Sequence, residues 1–239
     1  NFDGMLQSLR SAAPGTIAVL HACCHNPTGY DISAAQWDQV IAAVQAGQLT
    51  PFLDMAYQGF GHGITEDGAV VGKFIAAGLD VFVSTSFSKS FSLYGERVGA
   101  LSVVCASNAE ADKVLSQLKI MIRTNYSNPP IHGASVVAHV LGTPELRALW
   151  EQELAGMRTR IKAMRGKLVE GLKAAGVKQD MGFITDQIGM FSYSGLSKDQ
   201  MVRLRGEFGV YGTDTGRMCV AALNSKNIDY VCQAIAKVV

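Results

Sequence analysis

Three short apolar runs constrain the fold of this chain more than any other feature of its sequence. They occupy residues 17–20, 51–56 and 81–86, and turn or loop segments rich in glycine, proline or polar residues separate them from the next elements. Mostly apolar runs of this length are typical of strands buried on both faces of a sheet. The stretches between them have helical patterns, so their order predicts a parallel sheet covered by helices.

The first intervening stretch shows the helical pattern most clearly. Ser33 is the expected N-cap of this helix. The apolar residues that follow recur at spacings of three and four: Trp37, Val40, Ile41 and Val44. This spacing places them on one face of the helix, which is then available to pack on the sheet. A second helix is predicted over 70–77.

The remainder of the chain continues the alternation of strands and helices. Further strands are predicted over 98–105, 188–193, 209–211 and 218–220, and further helices over 109–122, 144–175, 198–208 and 228–238. The helix over 144–175 is long enough to bridge two domains. We therefore predict an α/β protein with a large domain over 1–156 and a smaller α/β domain over 157–239.

Composition argues against several classes of partner. The formal net charge of the 239 residues is +1 and the charged residues are interspersed, so neither nucleic acid nor an anionic membrane is an expected partner. The chain shows no apolar stretch long enough for a membrane span and no signal-peptide pattern. Five cysteines without CxxC spacing favour a reducing, cytoplasmic compartment. The histidines lack the spacing of metal ligands, so we expect no metal site.

Polar side chains gather at the predicted carboxyl ends of the strands, where parallel α/β sheets bind their ligands. They are Asn26, Asp54, Tyr57, Ser86 and Lys89. Taken singly, a lysine after a strand is usually a solvated loop residue, and a strand-end aspartate usually caps a turn. Together they match the needs of a pyridoxal cofactor, which requires a Schiff-base lysine and a carboxylate that keeps the ring nitrogen protonated.

The other groups that such a cofactor needs are also present. Asn26 and Tyr57 can each donate a hydrogen bond to its phenolic oxygen, although Asn26 alone would be an ordinary turn residue. The phosphate needs hydroxyls and a guanidinium, and the candidates are Ser86, Ser88 and Arg97. The plain alternative for Arg97 is a surface charge.

Four segments carry a resemblance to a known family. They are His-Asn-Pro-Thr-Gly (25–29), Asp-Met-Ala-Tyr-Gln-Gly-Phe (54–60), the Ser-Phe-Ser-Lys and Tyr-Gly-Glu-Arg-Val-Gly motifs (86–99) and Asn-Tyr-Ser-Asn-Pro-Pro (125–130). In this order and spacing they resemble class I pyridoxal-phosphate-dependent aminotransferases, specifically the C-terminal portion of the aspartate/aromatic-amino-acid (tyrosine) aminotransferase family. The resemblance implies a fold-type I transferase, with 1–156 as the C-terminal part of the large cofactor-binding domain.

The resemblance also implies a role for each candidate residue. Lys89 would bind the cofactor covalently and move the proton at the substrate Cα, Asp54 would face the ring nitrogen, and His21 would support Asp54 from behind. Arg217 would bind the substrate α-carboxylate, with Asn26 and Phe191 beside it. Without the resemblance, His21 and Phe191 are compatible with ordinary core positions.

A further set is implied to act across a subunit interface. Arg123 would reach the neighbouring subunit's site and bind the side-chain carboxylate of a dicarboxylic substrate, accompanied by Ser127 and Asn128. The resemblance thus implies a homodimer with shared active sites. The activity it implies is a ping-pong transamination between an amino acid, aspartate or aromatic, and 2-oxoglutarate.

Two alternatives stay open. Arg123 favours dicarboxylic substrates and would suit a strict aspartate aminotransferase, whereas residues 91–95 and 216–221 look more like the aromatic branch. The chain is also compatible with a catalytically silent regulatory module that binds the cofactor. Retention of the whole catalytic set favours the enzyme.

Part of the family pattern has no counterpart in this sequence. Three features are missing: the family's Ser-Gly-Thr phosphate loop, the tryptophan that stacks on the ring, and the tyrosine donated to the partner's phosphate. Neither Trp37 nor Trp150 stands at the position of the stacking tryptophan. We therefore expect that the N-terminal third of the family is absent. We also expect this polypeptide alone to bind the cofactor poorly and to be inactive.

Overall fold

A computed structural model describes all 239 residues. The chain forms two compact units. The first unit comprises 1–22, 32–58 and 64–152, and the second comprises 23–31, 59–63 and 153–239. The main division falls inside the long helix that also contains the predicted boundary at 156. Assignment of 23–31 and 59–63 to the second unit was not predicted.

The first unit is built on a four-stranded sheet in the order β1 to β4. Its strands are β1 (Ile17–His21), β2 (Thr50–Met55), β3 (Val81–Ser86) and β4 (Gly99–Val104). The parallel pairing predicted for the first three strands is confirmed. β4 runs antiparallel to β3, because the segment between them contains only the 3-10 turn Tyr94–Glu96 and no crossover helix.

The helices predicted for the first unit are present, although the one predicted over 70–77 already begins at Ile64 and the unit contains two further helices. The helices are α1 (Phe2–Ser11), α2 (Ala34–Ala46), α3 (Ile64–Ala76), α4 (Asn108–Asn125), α5 (His132–Gly142) and the start of α6 (Pro144–Ala174). Ser33 caps α2 as predicted, in a reciprocal pair with Gln36: the Ser33 hydroxyl accepts from the Gln36 N–H at 3.2 Å, and the Gln36 side chain accepts from the Ser33 N–H at 2.7 Å. The sequence reasoning missed α5, which follows the predicted proline loop.

The core of the first unit lies between the sheet and helices α1 to α3. The apolar stripe predicted for α2 is buried, and Phe74 of α3 is fully buried with its ring edge-on to Trp37 at a centroid distance of 6.0 Å. The expectation that every strand is buried on both faces is wrong for β1. Ile17 and Val19 are 60% and 65% exposed, because they point to the face of the sheet opposite the one on which Ala18 meets the core.

The second unit combines helices with a two-stranded antiparallel sheet. Its elements are the remainder of α6, β5 (Phe191–Tyr193), α7 (Lys198–Phe208), β6 (Arg217–Cys219) and α8 (Ile228–Ala236). The strand predicted over 209–211 is wrong. Gly209 instead ends α7 in the left-handed conformation, φ 62°, with its N–H donating to the Arg205 carbonyl. The strand predicted over 188–193 is shorter and begins at Phe191.

Three arginines of α6 bind backbone carbonyls of the second unit. Arg158 donates to the Gly59 carbonyl at 2.7 Å, and Arg160 donates to the carbonyls of Ala221 and Leu223 at 2.8 Å each. Arg165 makes similar contacts and is described with the site below. No helix of the protein combines the length and the apolarity that crossing a membrane requires.

Replacement of Phe74 tests the core of the first unit. Phe74→Ala removes a fully buried ring and its contact with Trp37, so the free energy of unfolding should fall by about 3–5 kcal/mol, measured by urea denaturation. The neighbouring Ile75 is 48% exposed, so Ile75→Ala should change that free energy by less than about 1 kcal/mol. Equal effects of the two substitutions would contradict the described core.

Candidate active site

The carboxyl end of the parallel sheet brings three predicted residues together. The register of β1 and β2 places His21 opposite Asp54, and β3 ends beside them at Ser86. The Asp54 carboxylate accepts a hydrogen bond from the Ala56 N–H at 3.0 Å, which fixes its orientation at the strand end. The Asp54 carbonyl accepts from the Ala22 N–H at 2.9 Å. The sheet therefore holds a half-buried carboxylate next to a histidine and a hydroxyl.

Lys89 lies in the turn that follows β3. Its ammonium nitrogen is 4.9 Å from the centroid of the Tyr57 ring and 5.9 Å from that of the Tyr94 ring. Tyr57 is buried, whereas Tyr94 is exposed. Contact with aromatic faces at these distances stabilises a cation and restricts its position. The amine is therefore confined beside a buried phenol at the end of the sheet.

The turn that carries Lys89 is anchored by aromatic packing. The Trp150 indole N–H donates to the Ser90 carbonyl at 2.7 Å, and the Trp150 ring stacks on Phe91 at a centroid distance of 4.6 Å. Phe91 in turn meets Phe87 edge-on at 5.6 Å. Because these contacts hold the residues on both sides of Lys89, the backbone from which its amine extends is fixed.

The candidate phosphate ligands occupy two different environments. The Ser86 hydroxyl accepts from the Ser88 N–H at 3.2 Å, and the Ser88 side chain is buried. Arg97 is exposed, has a left-handed backbone with φ 54°, and donates to the Tyr94 carbonyl at 3.0 Å. Arg97 thus belongs to the same 3-10 turn as the Tyr94 ring that lies over Lys89.

In the second unit the structure joins three residues that the sequence assigned to substrate. The Arg217 guanidinium donates to the Asn26 side-chain oxygen at 2.9 Å, and its central carbon lies 4.7 Å from the centroid of the Phe191 ring. β5 and β6 pair Tyr193 with Arg217, so Phe191 comes from the strand beside the arginine. A guanidinium supported on one side by an amide and on the other by a ring is suited to hold a carboxylate bidentately.

The loop that carries Asn26 is bound to β5 by its backbone. The Tyr193 N–H donates to the Thr28 carbonyl at 3.2 Å, and the Ile188 N–H donates to the Gly29 carbonyl at 2.8 Å. Gly29 has φ 76°, and a Cβ at this position would lie 2.7 Å from the Phe191 carbonyl oxygen. These contacts explain why residues 23–31 belong to the second unit, and they require a glycine at position 29.

The residues predicted to cross a subunit interface lie at the end of α4. The Arg123 guanidinium donates to the Ser127 hydroxyl at 2.5 Å, and the Asn128 N–H donates to the Tyr126 carbonyl at 2.9 Å. Arg123 is exposed, and α4 contains no buried residue. Arg123 and Ser127 are thus brought together as predicted, and their interfacial role stays a prediction.

Sequence reasoning missed Arg165, which is the most buried cation of the second unit. Arg165 is 2% exposed and donates to the carbonyls of Ile184, Gly189 and Phe191 at 3.3, 2.8 and 2.5 Å. Burial lowers the pKa of its guanidinium to about 10, which leaves it protonated at neutral pH. Its burial could have been predicted, because it directly follows Met164 on the apolar face of α6 that includes Ile161 and Leu168.

The residues present fit the pyridoxal phosphate that the resemblance implies. The first unit supplies an amine beside a buried phenol, a fixed carboxylate on the neighbouring strand, and hydroxyls at the end of β3. These are the donor types that a phosphorylated pyridine aldehyde requires. The second unit supplies a guanidinium and an amide for a carboxylate.

Comparison with known proteins establishes the family of the chain. The family model for aminotransferase class I and II matches residues 1–235. The chain therefore belongs to the class I and II aminotransferases.

Its relatives include both aspartate and aromatic-amino-acid enzymes. It is 59% identical to the aspartate aminotransferase of Pseudomonas aeruginosa over 100% of this chain and 60% of that protein, and 51% identical to the aromatic-amino-acid aminotransferase of Escherichia coli over 99% and 60%. It superposes with a TM-score of 0.98 and 65% identity on an aromatic-amino-acid aminotransferase from Burkholderia pseudomallei that is covalently bound to pyridoxal phosphate. That match covers 100% of this chain and 60% of that structure.

The chain thus spans about 60% of the length of the relatives it matches. These percentages state how much of each relative the chain covers, but they do not state which part of the relative it covers. That the chain is the C-terminal portion, and that the missing part is the N-terminal third, therefore stay predictions.

Substitution of Gly29 tests the contact between the Asn26 loop and β5. Gly29→Ala combines a left-handed backbone with a clash against the Phe191 carbonyl, whereas Gly176→Ala has a similar φ, 88°, and open space around it. Gly176→Ala should lower the free energy of unfolding by about 1–2 kcal/mol from backbone strain alone. Gly29→Ala should cost roughly 1–3 kcal/mol more because of overpacking. Urea denaturation measures both, and equal losses would show that the approach at Gly29 has no energetic effect.

Proposed function

We propose that the protein to which this chain belongs is a pyridoxal-phosphate-dependent aminotransferase that acts on aspartate and aromatic amino acids with 2-oxoglutarate. The observation that carries this proposal is the amine of Lys89, which lies beside the buried Tyr57 and follows the strand adjacent to Asp54. Family membership and the names of the relatives support the same conclusion.

When bound, pyridoxal phosphate supplies an electron sink for the electron pair left at the substrate Cα. The Asp54 carboxylate would accept a hydrogen bond from the protonated ring nitrogen, with His21 on the neighbouring strand beside it. Tyr57 and Asn26 would donate to the phenolic oxygen, and Ser86, Ser88 and Arg97 would bind the phosphate. Each of these roles follows from the donor or acceptor that the side chain carries.

Lys89 and Arg217 would act on different groups of the substrate. The amine of Lys89 would take the proton from the substrate Cα and deliver it to the C4′ carbon of the cofactor, and the nearby aromatic rings confine its reach. Arg217 would bind the α-carboxylate in the orientation set by Asn26 and Phe191. Arg123, with Ser127 and Asn128, would bind the distal carboxylate of aspartate in a partner subunit of a cytoplasmic homodimer.

A catalytically silent, cofactor-binding regulator remains the second candidate. It would use the same cofactor residues but would not need a base at the substrate Cα. The presence of Lys89 together with Arg217 and Arg123 favours the aminotransferase, because a silent module gains nothing from retaining all three.

Loss of Lys89 should abolish both covalent binding and turnover in the natural full-length protein. Lys89→Ala should lower transamination of aspartate by at least about 10³-fold, since it removes the base. After borohydride reduction, mass spectrometry should find the cofactor mass on the peptide that contains Lys89 of the wild type and nowhere in the variant. Lys73 lies in the last turn of α3 and pairs with Asp38 at 2.5 Å, so Lys73→Ala serves as the control and should retain turnover. A wild type that carries the cofactor but never transfers an amino group would support the regulator instead.

Substitution of Arg123 tests its proposed role in binding the side-chain carboxylate of aspartate. Arg123→Leu should lower kcat/KM for aspartate by roughly 10- to 100-fold, because a carboxylate loses its charged partner, and should change kcat/KM for phenylalanine much less. Arg10→Leu, an exposed arginine in the last turn of α1, should affect neither substrate. Equal losses for aspartate and phenylalanine in Arg123→Leu would overturn the assignment of Arg123 to the distal carboxylate.

A further inference from the structure

Arg165 differs from the other carbonyl-binding arginines of α6 because it is almost fully buried. Its guanidinium is 2% exposed, and its contacts are with the carbonyls of Ile184, Gly189 and Phe191. A buried charge is costly unless several hydrogen bonds compensate it. A neutral apolar side chain would fill the same space at less cost if packing alone were needed.

The carbonyls that Arg165 binds belong to the segment that leads into and begins β5. Gly189 lies two residues before Phe191, which is the first residue of the strand. Gly189 has φ 81° and packs so closely on Cys24 that a Cβ would lie 2.6 Å from the Cys24 Cβ. Arg165 therefore fixes the path of a short connection that glycine leaves conformationally free.

β5 is the element on which the substrate residues of the second unit converge. Its first residue supplies the ring that supports Arg217 at 4.7 Å. It pairs with the strand of Arg217, and it binds the loop of Asn26 through Tyr193 and the Thr28 carbonyl. A displacement of the Phe191 backbone would therefore move the ring beneath Arg217 and the loop that carries its amide partner.

A second buried polar group reinforces the same strand. Gln187 is 1% exposed, accepts hydrogen bonds from the Ser192 hydroxyl and the Tyr193 N–H, and donates to the Tyr193 carbonyl at 3.0 Å. Arg165 and Gln187 thus hold opposite ends of a three-residue strand. Such a short strand has too few ladder hydrogen bonds to fix its own position.

We propose that Arg165 is a positioning residue for substrate binding: through the Gly189 and Phe191 carbonyls it places the Phe191 ring and Asn26, and so orients Arg217 toward the substrate α-carboxylate. This inference deepens the proposed function and rests on it. Arg165 touches neither substrate nor cofactor in this scheme, and its effect passes through β5.

The proposal predicts a loss of carboxylate binding that depends on Arg217. In the natural full-length protein loaded with its cofactor, Arg165→Gln should raise the Kd of succinate, measured by calorimetry, and the KM of aspartate by about tenfold, with a smaller change in kcat. In an Arg217→Lys background, the same substitution should raise the Kd of succinate less than about twofold, because the residue through which it acts is already altered. A loss of equal size in both backgrounds would mean that Arg165 is merely structural, and would overturn the proposal.

A matched control separates this effect from general loosening of α6. Arg160 lies on the same helix and also donates to two backbone carbonyls, those of Ala221 and Leu223, outside β5. Arg160→Gln should leave the Kd of succinate within about twofold of the wild type. A tenfold loss in Arg160→Gln would contradict a specific role for Arg165.

Two measurements keep the proposal testable if Arg165→Gln does not fold. Arg165→Lys keeps the charge, but a single ammonium cannot reproduce the forked contacts to separate carbonyls, so it should raise the Kd of succinate severalfold. In the wild type, succinate should slow hydrogen exchange of the amides at 188–193; unchanged exchange would contradict the coupling. Wild-type turnover of aspartate tests the proposed function separately, since an active wild type with unaffected Arg165 variants refutes only the positioning role.

Discussion

Parallel pairing of β1, β2 and β3 is the constraint on which the first unit depends. Parallel strands all end at the same edge, and their register here sets His21 opposite Asp54 with Ser86 at the end of the next strand. Burial of Leu53, Val81 and Val83 holds that register, since a slip of one residue would turn these side chains away from the core. The polar groups at the edge are therefore aligned by apolar packing some residues away from them.

In the second unit, polar contacts rather than apolar packing fix the position of the strands. β5 and β6 contain three residues each, and two such strands bury too little surface to hold themselves in place. Their position depends on buried polar contacts from Arg165 and Gln187 and on the close approach of Gly29 to the Phe191 carbonyl. Polar contacts are directional, so they fix orientation more narrowly than apolar packing does.

The sequence predicted most of the fold and of the candidate site, for identifiable reasons. The runs over 51–56 and 81–86 and the α2 stripe have strong periodicity, and the residues around Lys89 form specific motifs. The antiparallel direction of β4 escaped notice because apolar patterns carry no information on strand direction. The strand expected over 209–211 failed because Gly209 ends a helix there, and Arg165 was missed because a charged residue in a helix rich in Arg and Lys suggests solvent exposure.

The burial of Arg165 implies a particular response of the second unit to ionic strength. Arg165 binds carbonyl dipoles in the interior, whereas the ion pairs of this unit, such as Arg203 with Glu207, are exposed on its surface. Dissolved salt screens exposed charge pairs strongly, but it has little access to the Arg165 guanidinium, which is 2% exposed and surrounded by carbonyls at hydrogen-bonding distance. The backbone that supports the Phe191 ring beneath Arg217 is therefore expected to keep its position in concentrated salt, in contrast to the ion pairs on the surface.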